Sequence, residues 1–284
     1  MGLALFHYHF MQNAFIAGTI VAVLAGVVGY FMVLRNQSFA GHSLANVGFA
    51  GATGAALFGV PSILGLFLAG VAAAVGIHWL GVGMRYSRRS DAVATGAVFT
   101  ASLALGFLFV HLAATSQSNS IYNVLFGNVL GISDRDVAII AISALAALVL
   151  IVLAGRPLLF ASVDPAVAAA RRVPVRALGL GFLLVLAMVV AVAVQVVGVL
   201  LIFALLVTPA ATARRMSPHP ALAIALSVAI ALVCTWAGLT AGYYSPFPVS
   251  FFITTLAFGF YIIVRLGNSV LGRTGAIPKV TQDS

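Results

Sequence analysis

The chain of 284 residues is 63% hydrophobic and only 7% charged, with a mean hydropathy of +1.17, whereas soluble domains carry about 25% charged residues. This excludes a soluble globular protein and defines an all-α, polytopic membrane protein, because apolar stretches long enough to cross hydrocarbon as helices recur almost to the C-terminus. The formal net charge of +9 is spread over the connections between those stretches, so it is a topology signal and not a nucleic-acid patch.

Residues 1–12, where His7 and His9 flank Tyr8, read as a short interfacial segment. They contain no Lys or Arg to make a secretory n-region, so the segment is expected to stay on the mature chain. Spans follow at 14–34, 44–60, 62–84, 92–113, 137–155, 177–194, 196–212, 220–241 and 247–266. Gln195 and Gly198 are the only interruption between the sixth and seventh, which leaves eight or nine spans. Counted as nine, the connections bearing Arg35, then Arg85, Arg88 and Arg89, then Arg156, Arg171, Arg172 and Arg176, then Arg214 and Arg215, and the end bearing Arg265, Arg273 and Lys279 all fall on one side. The positive-inside rule makes that side cytoplasmic and puts the C-terminus inside. On the other side, "IYNVLFGNVLG" is amphipathic enough for a short interfacial helix. The whole chain is read as one membrane domain, 1–284, closing in a disordered tail at 268–284. Cys234 is the only cysteine, so no intrachain disulfide forms.

The chemistry-bearing residues are few. In "DPAVAAARR" Asp164 is placed as an N-cap and Pro165 at the first helical position. Ala166 and Ala168 lie in an Ala-rich interior, and Arg171 and Arg172 at the C-terminal end, all choices that suit capping and the helix dipole. A short cytoplasmic helix of this kind suits docking to a partner protein. No G-x-x-x-x-G-K-[ST] loop occurs, so nucleotide energy must come from another polypeptide. The chain has no Glu, and none of its five Asp sits in mid-span, which argues against a stand-alone ion-coupled transporter. His42 and Asn46 stand at i and i+4 and share one helix face. Imidazole is a good ligand for zinc, an amide oxygen a weak one. His78, His111 and His219 read as packing or interfacial residues, and no hydrolase or metalloprotease motif appears.

Three segments, "RNQSFAGHSLANVGFAG" (35–51), "SDAVATGAVFTASLALGFLF" leading to "YNVLFGNVLGISDRDV", and "VDPAVAAARRVPV" followed by "VQVVGVLLIFALLVTPAATARR", occur in the order in which similar segments occur in the membrane permease subunits of ABC importers for zinc, manganese and iron. The chain resembles that family over about residues 10–266, with Gly41, Gly51, Gln195, Gly198 and Pro209 among the matching motif positions. The resemblance implies a homodimeric or paired permease, with a second copy or a paralogue completing it, two cytoplasmic ATPase subunits, an extracytoplasmic solute-binding protein, and residence in a prokaryotic cytoplasmic membrane. It implies no resident cofactor, only a transported metal ion, with the DP segment as the helix that meets the ATPase. Where the family carries Asp and His on the path of the metal, this chain carries His42 and Asn46; Ala166 and Arg172 replace a usual Glu and Gly. Loss of the carboxylates weakens attraction for Mn²⁺ more than for Zn²⁺, so zinc is the expected cargo, with a metal chelate or other small solute as the alternative.

Overall fold

The computed structural model describes residues 8–83, 88–113 and 125–270. Its helices are α1 (His9–Leu34), α2 (Ser38–Leu57), α3 (Ser62–Gly83), α4 (Arg88–Ala113), α5 (Asp134–Val163), α6 (Pro165–Ala170), α7 (Val175–Val197), α8 (Val199–Met216), α9 (Pro220–Tyr244) and α10 (Val249–Val270), with a 3-10 turn at Val129–Gly131. Seven of them, α1, α3, α4, α5, α7, α9 and α10, are long and apolar enough to cross a membrane. Of the other two long helices, α2 dilutes its apolar residues with glycines, Ser38, His42, Ser43 and Asn46, and α8 ends in Arg214 and Arg215.

The bundle is organised around α1, whose most apolar window is 67% buried against 22% for α5 and 17% for α10. α1 packs against α9, α8, α5 and α7, while α2 is held between α3 and α4, and α10 lies on α8 and α9. Met11, Leu24 and Met32 of α1 meet a core that includes Leu44, Leu186 and Leu205, all fully buried. By contrast, Ile142, Leu145, Val152 and Leu153 of α5 are exposed, as expected of a lipid-facing side. Helices in a bilayer gain nothing from hiding apolar surface from lipid, so they associate through close backbone approach at small residues. Gly51 of α2 and Gly65 of α3 show this reciprocally: a Cβ on either would strike the other's carbonyl oxygen.

Contacts tie the helix ends together in two groups. At the basic end Arg214 donates to the Val33 carbonyl (3.1 Å) and Arg35 to Ser162 Oγ (3.3 Å). At the opposite end Asn13 donates to the Ile132 carbonyl and Ser250 to the Phe126 carbonyl.

Several expectations change. The fifth span was expected to stop at 155, but α5 runs through Pro157 to Val163. Its buried face, Ile140, Ala144, Ala147 and Ile151, continues at Leu158 and Ala161, and this packing outweighs the one hydrogen bond that proline forfeits. The ambiguous sixth and seventh spans are two helices, split at Gly198, which adopts φ +84, ψ +162, a combination open essentially to glycine alone. Of the expected interfacial helix, Leu125 and Phe126 are helical and residues 121–124 lie outside the described set, while a 3-10 turn follows at 129–131. Residues 9–12, placed in an interfacial segment, belong to α1, and 268–270, placed in the tail, end α10; 1–7 and 271–284 are outside the described residues.

Candidate functional site

His42 and Asn46 lie in the first half of α2, one turn apart and half-buried. The imidazole sits between two rings from separate helices, 4.9 Å from Phe203 of α8 in an edge-on arrangement and 5.6 Å from Phe99 of α4. Asn46 Nδ2 donates to the His42 carbonyl (2.9 Å) and lies 3.5 Å from His42 Nε2, while His42 Nδ1 is buried with no hydrogen-bond partner. Such a nitrogen normally finds a partner. α2 is held in place by Ser43 Oγ, which donates to the Thr95 carbonyl of α4 (3.3 Å), and by Gly41, where a Cβ would collide with Met32 Sδ of α1. Among the described residues no group of three His, Cys, Asp or Glu lies where it could hold a metal ion. One chain therefore offers, at this point, one imidazole and one amide.

The capped helix expected from Asp164 onward is present. Asp164 caps α6, its Oδ1 accepting from the Ala166 and Val167 amides at 3.0 Å each; Pro165 takes the first position and Ala168 is fully buried. Arg171 is the C-cap. Arg172 follows with φ +60, and the amides of Arg172 and Val173 bond back to Ala169 and Ala168. This is a Schellman closure, whose left-handed position normally goes to glycine. The Gly-to-Arg departure noted in the sequence therefore falls where a side chain is strained. Asn36, after α1, occupies an equivalent position at φ +56 and tolerates it better, since Asn visits the left-handed region more readily.

Gln195 and Gly198 lie at the end opposite Arg35 and Arg214. Gly198 packs on Gly127 (φ +78): a Cβ on Gly198 would strike the Gly127 amide and the Phe126 carbonyl group, and one on Gly127 would lie 2.6 Å from the Gly198 nitrogen. The "LFG" and "QVVG" segments, seventy residues apart in sequence, thus meet backbone to backbone. Gln195 Nε2 reaches Asp136 Oδ1 (3.3 Å), and Asp136 Oδ2 accepts from Ser133, whose hydroxyl caps α5 in return. Asn13 Nδ2 donates to Asp134 Oδ1 at 2.7 Å, with His9 Nδ1 3.6 Å from the same oxygen. Sequence reasoning passed over this network. Its signal was "SDRD", a Ser followed three residues later by Asp, which is the pattern of a capping box. Pro209 is buried within α8. The structure brings Gln195 and Gly198 together but leaves them at the opposite end from Asp164–Arg172, with His42 and Asn46 on a third element.

A many-helix apolar bundle with a capped helix at its basic end and polar pairs on inner helices defines the class: an all-α, polytopic membrane protein. The sequence pattern of the ABC 3 transport family matches residues 7–268, and the chain belongs to that family, the permease subunits of metal ABC importers. It is 33% identical over 209 residues to the manganese transport system membrane protein MntC of Listeria monocytogenes, covering 74% of this chain and 73% of that one. It is 29% identical over 239 residues to the protein named "Probable iron transport system membrane protein" of Haemophilus influenzae, covering 84% and 83%. Among solved structures, PsaBC from Streptococcus pneumoniae in complex with Fab superposes with a TM-score of 0.80 at 31% identity, covering 90% of this chain and 91% of that one.

Proposed function

We propose that this chain forms the membrane pathway of an importer for a divalent transition metal, with zinc preferred over manganese. The observation that carries the reading is the half-buried His42–Asn46 pair between Phe99 and Phe203, with an imidazole nitrogen left unpartnered. Metal transport itself is supported by the relatives named for manganese and iron. The preference for zinc rests on the donors, since imidazole suits borderline metals while manganese favours carboxylate oxygen. A single imidazole is too few donors, so a second copy facing the first completes the site by doubling it. A site poorer than a closed cage suits passage, because a permeating ion must also leave.

The pathway crosses the cytoplasmic membrane in nine spans, α2 and α8 included, with the basic end inside. α6 then faces the cytoplasm, where two ATPase subunits dock against the capped helix, and movement there opens the inner side while a binding protein delivers the ion outside. The test is uptake of radioactive zinc and manganese, each in competition with the other, by the permease assembled with its ATPase and binding protein. Wild type is expected to favour zinc; His42→Ala is expected to lower zinc uptake about tenfold or more, as loss of one metal-supporting partner does elsewhere. Zinc uptake by His42→Ala at the wild-type rate refutes the role of the pair.

The alternative cargo, a metal chelate, draws on the lack of a three-donor group among the described residues. A chelate-binding partner protein whose pocket lacks His, Asp and Glu would favour that reading.

A further inference from the structure

A groove of about 570 Å³ runs between α3, α5 and α7, and every residue lining it is apolar. Its floor is Ile151, Leu158, Phe182 and Val185, all buried, while Leu150 and Gly181 at its lips are exposed, so the cleft opens sideways out of the bundle. A metal path needs polar donors, and this lining supplies none. On α7 the lining extends from Ala177 to Met188, about 17 Å of helix at 1.5 Å per residue. That is close to the roughly 15 Å depth of hydrocarbon in one leaflet.

The groove begins at the basic end. The Arg35 guanidinium stands 5.4 Å from the centroid of the Phe182 ring that forms part of the floor, and it also donates to Ser162 Oγ. Arg176 is exposed one residue before the mouth at Ala177, and Arg156 is exposed between the lining residues Ala154 and Leu158. Cationic side chains at the cytoplasmic mouth of a cleft between membrane helices attract anionic headgroups.

We propose that this groove is a binding site for an anionic phospholipid of the inner leaflet, one acyl chain filling the cleft and the phosphate meeting the arginines at its mouth. Gly181 lines the cleft and a Cβ there meets nothing within 4 Å, so a side chain at this position begins in open space.

The test is native mass spectrometry of the purified full-length chain titrated with phosphatidylglycerol and with phosphatidylcholine carrying the same acyl chains. Wild type is expected to retain phosphatidylglycerol about fivefold better, the factor contributed by roughly one arginine near an anionic headgroup. Gly181→Leu is expected to lose retention of both lipids, while Gly259→Leu, at a glycine of α10 that is equally open, keeps it. Arg35→Gln combined with Arg176→Gln is expected to erase the preference and spare phosphatidylcholine. Ala177→Phe, at the mouth, reports on the same cleft and decides the matter if Gly181→Leu does not fold. Wild-type retention in both cleft variants overturns the site, and equal retention of the two lipids by wild type overturns the headgroup assignment. A covalent dimer trapped through Gly181→Cys in a Cys234→Ala background would place a second copy in the cleft and overturn the lipid.

Discussion

Gly198→Ala tests the break between α7 and α8 most directly. At φ +84, ψ +162 a residue with a Cβ stores about 1–3 kcal/mol of backbone strain. Its methyl group would also overlap the Gly127 amide and the Phe126 carbonyl carbon, and lie 2.5 Å from the Leu125 oxygen. All three are backbone atoms that cannot rotate away, and overpacking of this kind costs about 1–3 kcal/mol more. The stiffer unfolded chain returns only about 0.4–1 kcal/mol. A net loss of about 2–5 kcal/mol corresponds to roughly 4–20 °C at about 2–4 °C per kcal/mol. Thermal-shift measurement of the purified permease, read by loss of the monodisperse peak on gel filtration after heating, gives the comparison. Gly155→Ala is the control, because a Cβ there meets nothing within 4 Å and the change is expected to stabilise α5 by about 0.5–1 kcal/mol. A Gly198→Ala protein as heat-resistant as wild type would show that the backbone pairing of the two motifs is not what holds this end together.

Arg172→Gly relieves a left-handed side chain at the end of α6 and is expected to raise the melting midpoint by a few degrees, about 1–2 kcal/mol, as measured by the same heating assay. Asp164→Ala removes the acceptor for two amides and is expected to weaken α6 by about 1 kcal/mol; if that helix meets the ATPase, metal-stimulated ATP hydrolysis falls while the permease stays folded. Asn13→Leu, which deletes the donor to Ile132 and Asp134, is expected to cost about 1–3 kcal/mol. Pairing it with Asp134→Ala in a double-mutant cycle separates the two bonds. His42→Asp together with Asn46→His introduces the carboxylate and imidazole that the sequence resemblance implies for these two positions and is expected to shift uptake from zinc toward manganese, measured as the ratio of the two initial rates.

The legible part of the molecule was the part encoded locally. Apolar runs of span length set the helices, and Asp164–Pro165 announced α6 with its cap, because capping needs only a side chain and the two or three amides beside it. His42 and Asn46 were legible as a pair on one face for the same reason, as a period of 3.6 residues requires no tertiary information. Other features were not legible. The fifth span read as ending at 155, yet α5 continues through Pro157 because Leu158 and Ala161 find partners in the core. Gly198 read as an ambiguous interruption because its φ is set by contact with Gly127, seventy residues away. The phenylalanines around His42 come from α4 and α8, and the cleft edged by Arg35 needs three helices to exist.

The sequence by itself determined that this chain lives in a membrane, that it is a permease of the ABC 3 family, and which short segments carry its caps and turns. All of these follow from hydrophobicity, order of motifs and hydrogen bonds between near neighbours. Tertiary structure alone decided where α5 ends, why glycine is required at 127 and 198, what surrounds His42, and that an apolar cleft opens beside the basic end. Each of these depends on helices that meet only after folding, where packing between distant backbones chooses among conformations that local chemistry leaves nearly equal in energy.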